Sequence, residues 1–316
     1  MGRRIRYIPE GGSLVEVTSR TIQGRFLLRP EEELNRIVRG ILARAARLHE
    51  VQVVGAVFLS NHYHLLVWVE HAQQLARFMG YLNGNLARET GRLHDWREKF
   101  WSRRYQAVLV SEEEEAQVAR LKYLLSHGAK ENLVHRPQDW PGVHCAEALV
   151  KGVPLEGVWV HRSRQYAAQR QRKPCSPNDF SEVELLSFAP LPCWAHLSEV
   201  QYRERIRAML LEIEQESAEA RERDRSPLPA RRVCRRRVLR QHPHSGPEKL
   251  QKRPAPLVHA FRKSVRREIC AAYGYFLTAF RQAARKLKAG EQGVVFPSGS
   301  FPPALPFVLP SLARAP

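Results

Sequence analysis

The chain's most chemically informative segment is Asn61-His62-Tyr63-His64-Leu65-Leu66, in which two histidines are separated by one residue. On a strand, residues two apart leave the same face, so His62 and His64 can turn two neutral imidazoles toward one divalent ion. Further along, Tyr123 and His127 are spaced by four, which on a helix sets a phenol and a third imidazole on one face about a turn apart. Together they would offer a metal site with a nucleophilic oxygen beside it. Each motif alone has a plainer reading: a polar pair next to a turn for the histidines, a half-buried ring on an amphipathic helix for Tyr123. Tyr105 is a rival nucleophile. It follows Arg103 and Arg104 with Phe100 and Trp101 nearby, a basic and aromatic group suited to phosphate contacts and base stacking, or to a solvated strand edge.

The elements that must position these groups follow from periodicity. Ser13 to Thr18 alternates as a strand, Gln23-Gly24 marks a turn before Arg25 to Leu28, and Leu34 to Ala45 repeats at helical spacing after three glutamates. Val51 to Leu59 and His64 to Val69 form a predicted hairpin joined through Ser60-Asn61-His62-Tyr63. A helix is expected over Gln73 to Arg92, a strand over Trp101 to Val110, and a helix from a capping box at Ser111 and Glu114 to a stop at Gly128. The order strand, helix, strand, strand, helix, strand, helix predicts an α+β domain over residues 1–150. Its expected form is a ferredoxin-like sandwich with helices on one face of an antiparallel sheet.

Residues 151–316 read as a basic, mainly helical extension. Residues 136–196 lack sustained periodicity and suggest a linker or wrap, apart from a short basic helix near Tyr166 to Arg172. A charged helix is expected over Leu197 to Arg223, with Val200, Ile206, Leu210 and Ile213 on one side. Basic loops at 227–240 and 242–256 precede another helical stretch, Leu257 to Leu287, with Gly274 as a candidate break; the end, 296–310, is proline-rich.

With 316 residues the chain has room for about two domains. Its 51 Lys and Arg against 32 Asp and Glu give +19, which points to a polyanionic partner. The excess is regional: 21 basic and 17 acidic side chains in residues 1–150, 30 and 15 in residues 151–316. Runs such as Arg231-Arg232, Arg235 to Arg237, Arg262-Lys263 and Arg266-Arg267 suit a phosphate backbone. The five cysteines include no C-x-x-C spacing, which argues against a disulfide framework or a cysteine zinc site and fits a reducing cytoplasm. No apolar stretch follows the basic start, and Val53 to Leu59 is far short of the roughly 18 to 20 residues that span a bilayer, so neither export nor a membrane partner is expected. The absence of a G-x-x-x-x-G-K-[ST] segment disfavours an ATPase, and the absence of an acidic cluster disfavours a two-metal nuclease.

Three segments, SNHYHLLV (60–67), FWSRRY (100–105) and YLLSHGAKENLV (123–134), together resemble the single-tyrosine HUH transposases, in particular the IS200-like branch associated with repetitive extragenic palindromes (REP elements). The resemblance covers roughly residues 10–140. It implies cleavage and rejoining of single-stranded DNA near hairpins through a 5′-phosphotyrosine intermediate, with Tyr123 as nucleophile. It also implies a divalent ion, Mg²⁺ or Mn²⁺, on His62, His64 and His127, with Trp101, Arg103, Arg104 and Tyr105 toward the DNA. Relatives commonly carry Gln or Asn at the third ligand position; the imidazole of His127 there suits Mn²⁺ or other divalent ions and is a less natural ligand for Mg²⁺, which prefers oxygen, so the preferred metal stays open. A homodimer is a further possibility. Two alternatives stay open: a domesticated DNA-binding protein of the same fold without turnover, and a metal-dependent endonuclease that uses water.

Overall fold

The central strand of the sheet, β1 (Ser13–Arg20), is buried along most of its length and sorts its side chains onto two cores. The computed structural model describes residues 5–171, 176–224, 256–298 and 300. After β1 come α1 (Glu32–Leu48), the hairpin β2 (Gln52–Phe58) and β3 (His62–Val69), α2 (Ala72–Leu93), β4 (Gln106–Val110) and α3 (Glu114–Leu125). The rest of the chain adds α4 (Ala146–Lys151), β5 (Leu155–Val160), α5 (Arg162–Arg170), β6 (Ser181–Leu186), α6 (Glu199–Arg223), β7 (Val258–His259) and α7 (Lys263–Lys288). The main sheet has the order β2-β3-β1-β4-β7, antiparallel until β7 joins β4 in parallel. The α+β class and the antiparallel sheet are those the sequence predicts.

Helices lie on both faces of that sheet. Val15 and Val17 share a core with Tyr63, Leu65, Val67 and the apolar stripes of α1 and α2. Leu14 belongs to a second core with Val54, Val57 and Leu66, closed by Leu121 and Leu124 of α3 and Ile206, Leu210 and Ile213 of α6. The unbroken apolar runs in β2 and β3 are the sign of this double burial, since a strand with one wet face would alternate.

Several boundaries differ from expectation. Arg25 to Leu28 is not a strand: the chain turns through Ile22–Gly24, with Gln23 at φ 55°. His62 and Tyr63 are strand residues, not turn residues, because the Leu59 N–H already bonds the His62 carbonyl at 2.8 Å and closes the hairpin there. β4 starts only at Gln106; Trp101 makes an isolated bridge to Thr21. α3 has no capping box, because the Ser111 hydroxyl donates to Glu113 at 2.8 Å instead of capping the helix. Val200 is exposed while Ile206, Leu210 and Ile213 are buried, and α7 runs through Gly274 without a break.

The stretch expected to be a wrap contains an antiparallel pair, β5-β6, that packs on α1. Backbone meets backbone there: a Cβ on Gly40 would strike Val158, and one on Gly157 would strike Gly40 and Arg39. Arg44 and Arg47 both grip Glu184 at 2.7 Å across the same interface. The predicted loops at 227–240 and 242–255, the arginine runs 231–237 and the tail from residue 301 lie outside the described residues.

The C-terminal arm is tied to the start of α3. Glu113 accepts from the backbone N–H of Phe261 and Arg262 at 2.9 and 3.2 Å and from the Arg262 guanidinium at 2.7 Å. The guanidinium chiefly holds the Glu113 carboxyl down to about 2. A carboxyl depressed in this way contributes its tether fully above the ordinary carboxylate range and loses it as pH falls toward about 2. Glu113→Gln is therefore expected to raise proteolytic cleavage around 256–262 at neutral pH while the sheet stays folded. Gly40→Ala is expected to lower stability by about 1–3 kcal/mol in denaturant melts, the usual cost of overpacking a closed contact.

Candidate metal and nucleophile site

Even-numbered residues of β1 and β3 share the sheet face under α3, and the register pairs Thr18 with His64 and Arg20 with His62. This parity, set by the strand period, carries both imidazoles to one side. α3 lies over the same face; its Leu124 packs close to Gly55 of β2, which brings the helix end down near the histidines. His127 falls just beyond the helix rather than on it. The chain turns at Gly128, which has φ 90° and could not take a side chain without strain. This turn keeps the His127 ring, itself buried, over the sheet.

The rings converge. One nitrogen from each of His62, His64 and His127 lies within 4.8 Å of the other two. Centroid separations are 4.1 Å for His64 and His127, 5.2 Å for His62 and His64, and 6.2 Å for His62 and His127. The Tyr123 ring is 4.8 Å from His127 and 5.8 Å from His64. Tyr123 is 41% exposed, so its phenol can be reached from outside while the imidazoles sit deeper.

Each imidazole is oriented through Nδ1. His64 Nδ1 pairs with Glu16 at 2.8 Å, His62 Nδ1 with the Asn61 amide oxygen at 2.6 Å, and His127 Nδ1 donates to the Leu124 carbonyl at 3.0 Å. With Nδ1 occupied in all three, Nε2 is the nitrogen left with a lone pair for a cation, the arrangement that outer partners impose on metal-binding histidines. Burial, aided by His64 and neighbouring cations, holds His62 down to about 3 and His127 down to about 2, so both rings stay neutral and competent as ligands. Metal–nitrogen bonds of about 2 Å would require the rings to draw in slightly from their present spacing. The donor set fits a divalent ion that accepts imidazole.

Glu16, Arg120 and Lys130 complete the electrostatics, and the sequence reading missed all three. Burial works to raise the Glu16 carboxyl, but its bond to His64 and the charge of Arg120, at 2.8 Å, hold it below the ordinary range. Arg120 also lies over the Tyr123 ring at 5.1 Å. The Lys130 ammonium is 3.5 Å from the Tyr123 ring centre and 3.1 Å from His127 Nε2, and burial lowers its pKa. Burial raises the Tyr123 phenol, with Glu16 adding to the effect. The one available signal for Glu16 was parity: it shares the face of Leu14 and Thr18, between the apolar Val15 and Val17.

Around Tyr123 and His64 a groove of about 350 Å³ is lined by Arg20, Arg103, Arg104, Arg120 and Arg266. The expected DNA-facing residues divide. Arg103 and Arg104 reach this groove, whereas Trp101 turns inward, with its indole N–H donating to the Asn83 carbonyl at 2.9 Å and its ring edge-on to Tyr63. Tyr105 lies beneath Arg6 and Arg104 and lines a different groove, away from the histidines. Glu16→Gln is expected to weaken Mn²⁺ binding by about 10–100-fold in calorimetric titration, the usual effect of losing an outer-sphere carboxylate, with the fold retained.

Residues 22–124 match the family model described as "Transposase IS200 like". Among curated proteins no relative matches. One similar solved structure is a REP-associated tyrosine transposase bound to a REP hairpin. It is 16% identical, with 48% of this chain and 86% of that chain aligned at a TM-score of 0.40. Another is a protein of Deinococcus radiodurans R1 assigned as a transposase, 20% identical over 38% of this chain and 95% of that one, at a TM-score of 0.27. Among the described residues no helix is long and apolar enough to cross a membrane. The matched segment contains both sheet histidines and Tyr123, and over it the chain is similar to the IS200-like transposases.

Proposed function

We propose that the protein cleaves and rejoins single-stranded DNA with Tyr123 as nucleophile and His62, His64 and His127 as ligands of a divalent ion, Mn²⁺ or Mg²⁺. The observation that carries this reading is the convergence of three imidazoles within 4.8 Å beside an exposed phenol. One chain supplies all four groups. The hairpin context of the substrate follows from the family resemblance.

Held by the three imidazoles, such an ion would neutralise charge growing on the non-bridging oxygens of the scissile phosphate and favour the phenolate. Arg103, Arg104 and Arg120 line the groove and would hold the phosphates to either side. Tyr123 Oη forms a bond to phosphorus as the bond to the 3′ oxygen breaks. The phenol proton passes to solvent and the departing 3′ oxygen takes one up. The product is a 5′-phosphotyrosine link and a free 3′-hydroxyl. The reverse attack by a 3′-hydroxyl restores a phosphodiester without a nucleotide cofactor, because the link conserves the bond energy. We place this unit in residues 1–150 and give residues 151–316 the larger share of nonspecific backbone binding.

Incubation with end-labelled hairpin DNA carrying single-stranded flanks, with Mn²⁺ or Mg²⁺, should give a covalent adduct that peptide mapping places on Tyr123. Tyr123→Phe should abolish the adduct and keep DNA binding. His62→Ala and His64→Ala should lower its yield by about a hundredfold or more, as loss of charge stabilisation at a transition state does. Cleavage without an adduct would favour an endonuclease that uses water, and binding without cleavage a DNA-binding protein of the same fold.

A further inference from the structure

The start of β4 separates two grooves. The smaller holds Tyr123 and His64; the larger, about 670 Å³, is lined by Tyr7, Tyr105 and Tyr273 over an apolar floor. Strand alternation divides them: Val108 faces the first groove, Ala107 and Leu109 the second, and Arg103, Arg104 and Leu257 border both. β7 pairs with β4 only at Leu109 and Val110, so among the described residues no strand lies beside Gln106 to Val108. The two grooves thus adjoin across the start of β4, with two arginines at the crest between them.

The geometry points to a binding site for one unpaired nucleobase in the larger groove, taken from the strand whose phosphate lies at Tyr123. This rests on the reading of the first groove as the DNA site and assigns its neighbour. The chemistry matches a base better than a phosphate or an aliphatic ligand. The partly exposed rings of Tyr7 and Tyr105 and an apolar floor, with the buried Tyr273 behind them, offer stacking, and the guanidinium groups of Arg6 and Arg104 over Tyr105, at 5.1 and 5.7 Å, offer planar cations that stack on bases as rings do. The crest arginines would hold the linking phosphate, so that strand polarity and base insertion are read together. Three separate parts of the chain build the wall: the segment around Tyr7, the strand β4, and Leu257 with Tyr273 of the C-terminal arm. Tyr273 is anchored there by its hydroxyl, which donates to the Ile5 carbonyl at 3.1 Å. The C-terminal arm thereby acquires a role in substrate selection.

The test is an abasic scan. Full-length protein is titrated in EDTA, so that no cleavage intervenes, with fluorescent hairpin oligonucleotides whose single-stranded flank lacks one base at a time. One position should weaken binding about tenfold, the cost of losing a stacked base, while its neighbours change little. Ala107→Phe, which fills the groove, should bind the intact oligonucleotide about tenfold more weakly than wild type and the abasic one equally well; Ala107→Leu serves where the larger side chain prevents folding. Indifference to every abasic position, or an equal loss by the variant on intact and abasic strands, would overturn the proposal. Adduct yield after Mn²⁺ addition to the same samples tests the Tyr123 chemistry separately, so the two readings can fail independently.

Discussion

A carboxylate on the inner face of the central strand organises the site. Glu16 is almost fully buried, and a charge there is tolerable only because His64 and Arg120 each approach it at 2.8 Å. Its three-way contact joins β1, β3 and α3. It fixes which nitrogen of His64 faces the cluster, and it holds Arg120 where the guanidinium meets the Tyr123 ring. Removing either partner would leave a desolvated charge, a loss of about 3–5 kcal/mol in comparable cases. Orientation of the His64 ring and placement of the phenol-bearing helix therefore have a common cause.

The same region calls for positive charge. Burial and Glu16 both oppose ionisation of Tyr123, so its phenolate needs a cation close by. Lys130 provides one from the turn after α3, close to the phenol ring and within hydrogen-bond distance of His127 Nε2. Burial opposes the charge on Lys130 itself, so the cation nearest the phenol is also the one least secure in its charge.

What the sequence disclosed was governed by local period. His62 and His64 declared their shared face through the strand repeat, α1 and α2 declared theirs through the helical one, and the order of elements was enough for the antiparallel sheet but not for its second helical layer, where α3 and α6 cover the face expected to be open. His127 was found by spacing although it lies past the helix end, because the turn at Gly128 continues the reversal. Trp101 shows where local reading fails: its type suggested stacking on DNA, but Asn83, eighteen residues away along the chain, captures its indole N–H. Glu16 and Arg120 were invisible for the same reason, since nothing local records an ion pair between the first strand and the third helix. The β5-β6 pair escaped notice because its strands are short, widely separated and only partly buried, so that neither carries a strong alternation.

The acidic side chains of both halves explain how a strongly basic extension is held in place. Glu184 binds Arg44 and Arg47 of α1, Glu212 and Glu216 bind Lys122 of α3 at 3.0 and 2.8 Å, and Glu113 binds Arg262 of the C-terminal arm. Two of these three contacts bear on α3, at its start and one residue before Tyr123. Glu114 adds a third link to that helix, accepting from the Trp194 indole at 2.8 Å and from Arg205 at 3.0 Å. Exposed pairs of this kind contribute little individually to stability. Their number and direction matter more here, because they surround a helix whose own apolar stripe is narrow and whose inner side must remain open around Tyr123. With carboxylates engaged in internal pairs, the positive charge of the groove around Tyr123 falls to arginines such as Arg103, Arg104 and Arg266, and the extension braces the helix that carries Tyr123.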